Sequence, residues 1–219
     1  RRRQRQMCIR DRYYEVFKLL EENNIGWNFW THKKVDKITS PYSALVTPQY
    51  QVIIDYLRGA IAQPDPNIAG MGLTSFANSL KIENCITRPG VIASLTDPEY
   101  GEISKPYTTH SIPGTIPAAY YDIGARGLSY SDSDYWNDGD GGYNDGWVFR
   151  NDGVDVEGSD DDPNIPYTVG WTEAGEWLGY TIEDVSPGTY EVSFSISAPD
   201  AGGIFFAQLS GQNLSLIHI

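Results

Sequence analysis

"TYEVSFSISA", residues 189–198, alternates apolar and polar side chains without a break: Tyr190, Val192, Phe194 and Ile196 stand between Thr, Glu and Ser. Successive side chains of a strand point to opposite faces, so this period of two predicts a strand with one packed and one wet face. Ser186, Pro187 and Gly188 form a turn just before it. Working outward, "WLGYTI" at 177–182 and "GIFFAQL" at 203–209 read as further strands, and "SDSDYWNDGDGGYNDG" at 131–146 as a long polar loop. Short strands between turns predict a β-sandwich from Pro113 onward.

The first half has a different texture. In "YYEVFKLLEENNIG" (13–26), Tyr13, Val16, Phe17 and Leu20 recur at helical spacing and make one apolar face. Asn23, Asn24 and Gly26 stop that helix. "IGWNFW" (25–30) is short, aromatic and bounded by turn residues, which predicts a buried strand. Thr47-Pro48 opens a second helix, with Thr as N-cap and Pro in first position, and Gly59 closes it. One or two more helices are expected within 66–95. Residues 97–112, "DPEYGEISKPYTTHSI", lack periodicity and read as a linker. Helix, strand, loop and helix make a βα-type pattern that needs further strands beside it.

The chain has 219 residues and a net charge of −13, with 15 Tyr and 6 Trp. Charge is uneven. Residues 113–219 hold two Arg against eighteen acids, whereas residues 1–12 hold six Arg and one Asp. An acidic second half repels phosphates, which argues against a nucleic-acid partner. No apolar run approaches 18 residues, so no membrane span is expected. Cys8 and Cys85 show neither a disulfide framework nor zinc-site spacing. The ends, "RRRQRQMCIRDR" (1–12) and "LSLIHI" (214–219), fit neither neighbouring pattern. Both are expected to be translated sequencing artefacts rather than native segments; the other reading is a basic arm and an ordinary last strand.

"IPGTIPAAYYD" (112–122), "NDGVDVEGSDD" (151–161) and "VGWTEAGEWLGYTIEDVSPGTYEVSFSISA" (169–198) occur in that order. Together they resemble a family 6 carbohydrate-binding module, over residues 113–213. The resemblance implies a jelly-roll β-sandwich that binds polysaccharide through aromatic platforms. Trp and Tyr rings stack on the C–H face of a sugar, and nearby acids accept its hydroxyls. By position, Trp171 is expected as the stacking platform, with Glu173 as a hydroxyl acceptor. Tyr143 and Trp147 in the polar loop are further candidates, as is Trp136. For Trp177 the resemblance favours a core role. For each ring, packing of the sandwich is the competing reading. The family carries a structural calcium, one of whose ligands is a Glu. That position holds Ala119 here, so a structural calcium stays an open reading and no cofactor is assigned with certainty. The family continues past "LSGQNL" into strands that supply a second stacking Trp and an Asn, so the module is expected to be incomplete.

"LLEENNIGWNFWTHKK" (19–34), followed by "SPYSALVTPQYQVIIDYLRG" (40–59), resembles the last part of a glycoside hydrolase family 5 catalytic domain, over residues 13–96. That family is a (β/α)8 TIM barrel with its active site at the C-terminal ends of the strands. The resemblance implies that Trp30 floors the subsite where the bond is cut, and that His32 and Lys33 begin a loop able to touch substrate. A solvated loop is the plain alternative for His32 and Lys33. The family's two catalytic carboxylates, needed for retaining hydrolysis, would lie upstream of residue 13, so no catalytic residue is assigned and the chain alone is expected to be inactive. The whole is expected to be the C-terminal part of a secreted glycoside hydrolase, endo-β-glucanase-like, acting on cellulose, another β-glucan, xylan or mannan. The alternative is a non-catalytic carbohydrate-binding or adhesion protein.

Overall fold

The computed structural model describes residues 9–133, 149–198, 203–210 and 212–218. The chain divides into two compact units, Arg1–Ser186 and Pro187–Ile219. In chain order the elements are α1 (Ile9–Glu22), β1 (Lys33–Val35), β2 (Tyr42–Ala44), α2 (Pro48–Leu57), α3 (Pro66–Ser79), β3 (Ile86–Thr87), α4 (Pro89–Thr96), β4 (Ser111–Ile112), β5 (Tyr130–Ser131), β6 (Val156–Gly158), β7 (Tyr167–Val169), β8 (Trp177–Leu178), β9 (Asp184–Val185), β10 (Ile204–Leu209) and β11 (Gln212–His218). The architecture is mixed α/β with small sheets.

The helices of the first unit form where local chemistry favours them. Thr47 sits in extended conformation and its hydroxyl accepts from the Tyr50 amide at 3.3 Å, which caps α2. Pro48 occupies the first turn, where its missing N–H costs nothing. Gly59 takes a φ of 75° just past the end, a left-handed conformation that glycine adopts without strain. Asp65 caps α3 in the same way, accepting from Asn67 N at 2.8 Å. The two helices pack through Tyr50 and Phe76, whose rings stack 4.2 Å apart. Gly72 allows this approach: a Cβ there would meet the Gln49 carbonyl oxygen at 2.5 Å.

Helix α1 packs on α4 and on the segment after it. Tyr14 lies 5.5 Å from the fully buried Tyr100, and Lys18 pairs with Glu102 at 3.2 Å. The segment 25–30 folds back on the same helix, with Phe17 4.0 Å from Trp27 and Tyr13 5.2 Å from Phe29. This segment is irregular rather than a strand. Its aromatic residues contact the face of α1, and the first ladder forms only at β1. There β1 runs parallel to β2, and β2 pairs antiparallel with β3. Residues 97–112, expected as a linker, hold Tyr100 and His110 buried, and Lys105 forms a bridge to Ile123.

The remainder of this unit is built on an aromatic core. Ala119, Tyr121, Tyr130, Val154 and Val156 are buried together, and Phe149, Tyr167, Leu178 and Tyr180 pack around them. Burying one such ring contributes about 1.5–3 kcal/mol. Paired strands frame the core: β4 with β9 in parallel, and β5 with β8 and β6 with β7 antiparallel. Arg150 is threaded through it. Its Nη2 donates to the Asp122 carbonyl at 2.9 Å, its Nη1 to the Tyr121 carbonyl, and its guanidinium lies 3.6 Å over the Tyr121 ring. Asp152 pairs with Arg150 at 3.0 Å and also with Arg10 of α1.

In the second unit β10 and β11 form an antiparallel pair, with an irregularity between Ala207 and Gln208. Phe205 meets Phe194 edge-on at 5.2 Å. The alternating stretch 189–198 lies outside any ladder and is exposed, unlike the half-buried strand that its period predicts. A strand exists only with a hydrogen-bonded neighbour, and none lies alongside among the described residues.

Candidate functional site

Trp171 lies on the turn between β7 and β8. Gly170 anchors the start of that turn, donating to the Asp155 carbonyl at 3.0 Å. Trp171 itself has a φ of 46°, the left-handed region that side chains with a Cβ rarely adopt, and Gly175 follows at 96°. Holding a bulky residue there costs of order 1–3 kcal/mol, so the surroundings must enforce it. Two glutamates do so. The Glu176 carboxylate accepts from Ser133 N and from Glu173 N, both at 2.8 Å, and the Glu173 carboxylate accepts from the Ser133 hydroxyl at 2.7 Å. The turn is thereby clamped to the end of the chain segment that follows β5.

The result is an indole that is 41% exposed with carboxylates on its own turn. Glu173 is engaged through one oxygen by Ser133, and a carboxylate offers about four lone-pair sites. It therefore retains capacity to accept from a ligand hydroxyl. Trp177, for which the resemblance favours a core role, starts β8 opposite Ser131 and is 43% exposed. Ring exposure therefore does not separate the two tryptophans; backbone conformation does. Tyr143, Trp147 and Trp136 lie outside the described residues.

The other candidates sit before and within β1. Trp30 is 87% exposed. His32 is exposed, and its backbone carbonyl accepts from Tyr42 N at 3.1 Å. The Lys33 ammonium donates to the Leu80 carbonyl, at the C-terminal end of α3. A cation there complements the exposed carbonyls of the helix end. Lys33 is thus tied to the scaffold, while Trp30 and His32 face solvent.

Ala119, at the position where the resembling family places a calcium ligand, is fully buried in the aromatic core and has no side-chain oxygen. Among the described residues, no group of three or more His, Cys, Asp or Glu is placed to hold a metal ion. No helix among them is long and apolar enough to cross a membrane.

Two arrangements escaped sequence reasoning. Glu176 and Ser133 are the braces of the Trp171 turn, yet they stand 43 positions apart and only the fold joins them. The Arg10–Asp152–Arg150 cluster is the other. Burial alone would raise the Asp152 carboxyl, but the two guanidiniums outweigh it and hold it below the usual aspartate range. Beside this cluster is a recess of about 40 Å³, lined by Arg10, Arg88, Gly90, Tyr107, Phe149 and Arg150 among others. A buried water needs about 10–15 Å³ in this measure, so the recess is too small for a sugar ring. Comparison with protein-family models, with curated proteins and with solved structures finds no match for this chain.

Proposed function

We propose that this chain binds β-glycan and belongs to a secreted glycoside hydrolase that degrades plant-type polysaccharide. Cellulose, another β-glucan, xylan and mannan are the candidate ligands. The observation that carries the reading is the Trp171 turn: a half-exposed indole in left-handed conformation, held by Glu173, Glu176 and Ser133. A rigid ring loses little conformational entropy on stacking against a sugar face. The Glu173 carboxylate is available to accept a hydroxyl at the rim of that sugar. Trp30, still more exposed, is the second aromatic surface suited to the same ligand. In this reading the chain contributes binding and positioning. Holding an enzyme on insoluble glycan raises the local concentration of its substrate.

The test is affinity electrophoresis of the chain and of Trp171→Ala in gels containing soluble β-glucan, xylan or mannan. Retardation in at least one polymer is expected. Its loss by roughly tenfold or more in Trp171→Ala, as for an aromatic anchor, with an unchanged circular dichroism spectrum, supports the platform. Equal retardation of both proteins, or of neither, removes it.

A further inference from the structure

The recess beside Asp152 has an unusual balance of charge. Three guanidiniums, those of Arg10, Arg88 and Arg150, line it. Arg10 and Arg150 share one carboxylate, Asp152. Arg88 has only neutral partners: its Nε donates to the Ser43 hydroxyl at 2.9 Å and its Nη1 to the Phe149 carbonyl at 3.0 Å. It forms no ion pair among the described residues. Burial pushes its guanidinium below the ordinary arginine range, because no carboxylate compensates the lost hydration. Asp11 also acts on Arg10 through its charge, while its two oxygens accept from the Tyr100 hydroxyl and the Arg126 amide; of the three guanidiniums, the one left without a carboxylate is that of Arg88.

The helix beside the recess adds to this. Arg88 is the residue before α4 and caps it with no side-chain acceptor, and Gly90 and Val91 of its first turn also line the recess. Pro89 has no N–H and the Val91 amide donates to the Arg88 carbonyl at 3.1 Å, so the helix start contributes the Gly90 amide and its partial positive charge, which favours an anion. A side chain at Gly90 would run into the Arg10 guanidinium, so glycine is what lets Arg10 pack against the start of α4. The volume of about 40 Å³ admits roughly three waters or one small tetrahedral ion.

We propose that this recess is a binding site for a small oxyanion of the phosphate or sulfate class, held by Arg88 and Arg10 at the start of α4, with Arg150, whose donors are engaged by Asp152 and the Tyr121 and Asp122 carbonyls, contributing charge alone. The planar fork of arginine suits the geometry of such an ion. The chain's net charge of −13 opposes anion approach at long range. That repulsion is screened beyond about 10 Å at 0.1 M salt, whereas the three cations act at contact distance. The site is independent of the sugar-binding turn.

The probe is inorganic phosphate, titrated into the full chain at constant ionic strength with a bulky organic anion as balance. The readouts are the thermal midpoint and the width of the phosphate 31P resonance. A saturable rise in midpoint with line broadening is expected in the wild type. Arg88→Met is expected to weaken it by tenfold or more, as loss of a charge-assisted contact implies, and Arg88→Lys by less. Phenyl phosphate distinguishes the source: its exclusion keeps the site for the free ion, and equal binding places the oxyanion on a larger ligand. No saturable response in the wild type, or an undiminished one in a folded Arg88→Met, overturns the proposal.

Discussion

Asp152 is the residue whose chemistry most constrains this chain. It is fully buried, and it pairs with both Arg10 and Arg150. Removing one partner of such a group leaves a desolvated charge behind, which costs about 3–5 kcal/mol. Asp152→Asn keeps the shape and removes only the charge. It is expected to lower the unfolding free energy read from urea titration by an amount in that range, whereas a merely packed aspartate would tolerate the change. The pH dependence follows from the sign of the shift. The carboxyl titrates lower in the folded chain than in the unfolded one, so its contribution is complete above the unfolded value of about 3.9. It is lost as pH falls through the lower, folded value. Asp11 works in the opposite sense, because burial raises its carboxyl. Its folded form takes up a proton first, and that uptake favours folding as pH falls. Acid unfolding monitored by tyrosine fluorescence is therefore expected to be steeper in the wild type than in Asp152→Asn below about pH 4. Coincident acid limbs for the two proteins would remove Asp152 from this role.

At the scale of elements, the contact between α2 and α3 gives a sharp pair of outcomes. Gly72 faces α2, and a Cβ there meets the Gln49 carbonyl at 2.5 Å, so backbone must shift. Gly72→Ala is expected to destabilise by about 1–3 kcal/mol, the cost of overpacking. Gly70, one half-turn away, has open space around its Cβ position. Gly70→Ala is expected to stabilise by about 0.5–1 kcal/mol, because a helical glycine loses more entropy than alanine. Denaturant midpoints of the two variants should move in opposite directions. The same helices show what a sequence discloses. Thr47-Pro48 and Gly59 marked α2 because capping is local: the donors and acceptors lie within four residues. Strands are different. "GIFFAQL" contains β10, but "TYEVSFSISA" has the better period and no ladder. Pairing depends on a partner that no short window contains. The Trp171 turn lay between these cases. Its aromatic and acidic residues were visible in "VGWTEAGEW", but the clamp by Ser133 and the left-handed backbone were not.

For the molecule as a whole, the question is what its exposed apolar surface does. In Pro187–Ile219, Val192, Phe194, Ile196, Ile204 and Phe206 are all exposed, the last at 57%. A segment shorter than roughly 40 residues rarely buries enough surface to be stable by itself. Strand-forming residues with open backbone groups then offer a surface for pairing with another copy. The net charge of −13 works against this, because copies repel one another. Magnitudes decide between them by ionic strength. At 0.01 M salt the screening length is about 30 Å and repulsion reaches across a small protein; at 1 M it is about 3 Å and repulsion is confined to contact. Apolar attraction, by contrast, does not weaken with salt. The chain is therefore expected to sediment as a monomer in dilute buffer and to associate increasingly between 0.01 M and 1 M sodium chloride. Phe206→Lys puts a charge into the exposed stripe and is expected to reduce that association without changing the helical circular dichroism signal. Sedimentation velocity on both proteins across the salt series reads this directly. Association that falls with salt would point instead to contacts between the basic start of the chain and its acidic second half, and the apolar stripe would then have no part in it.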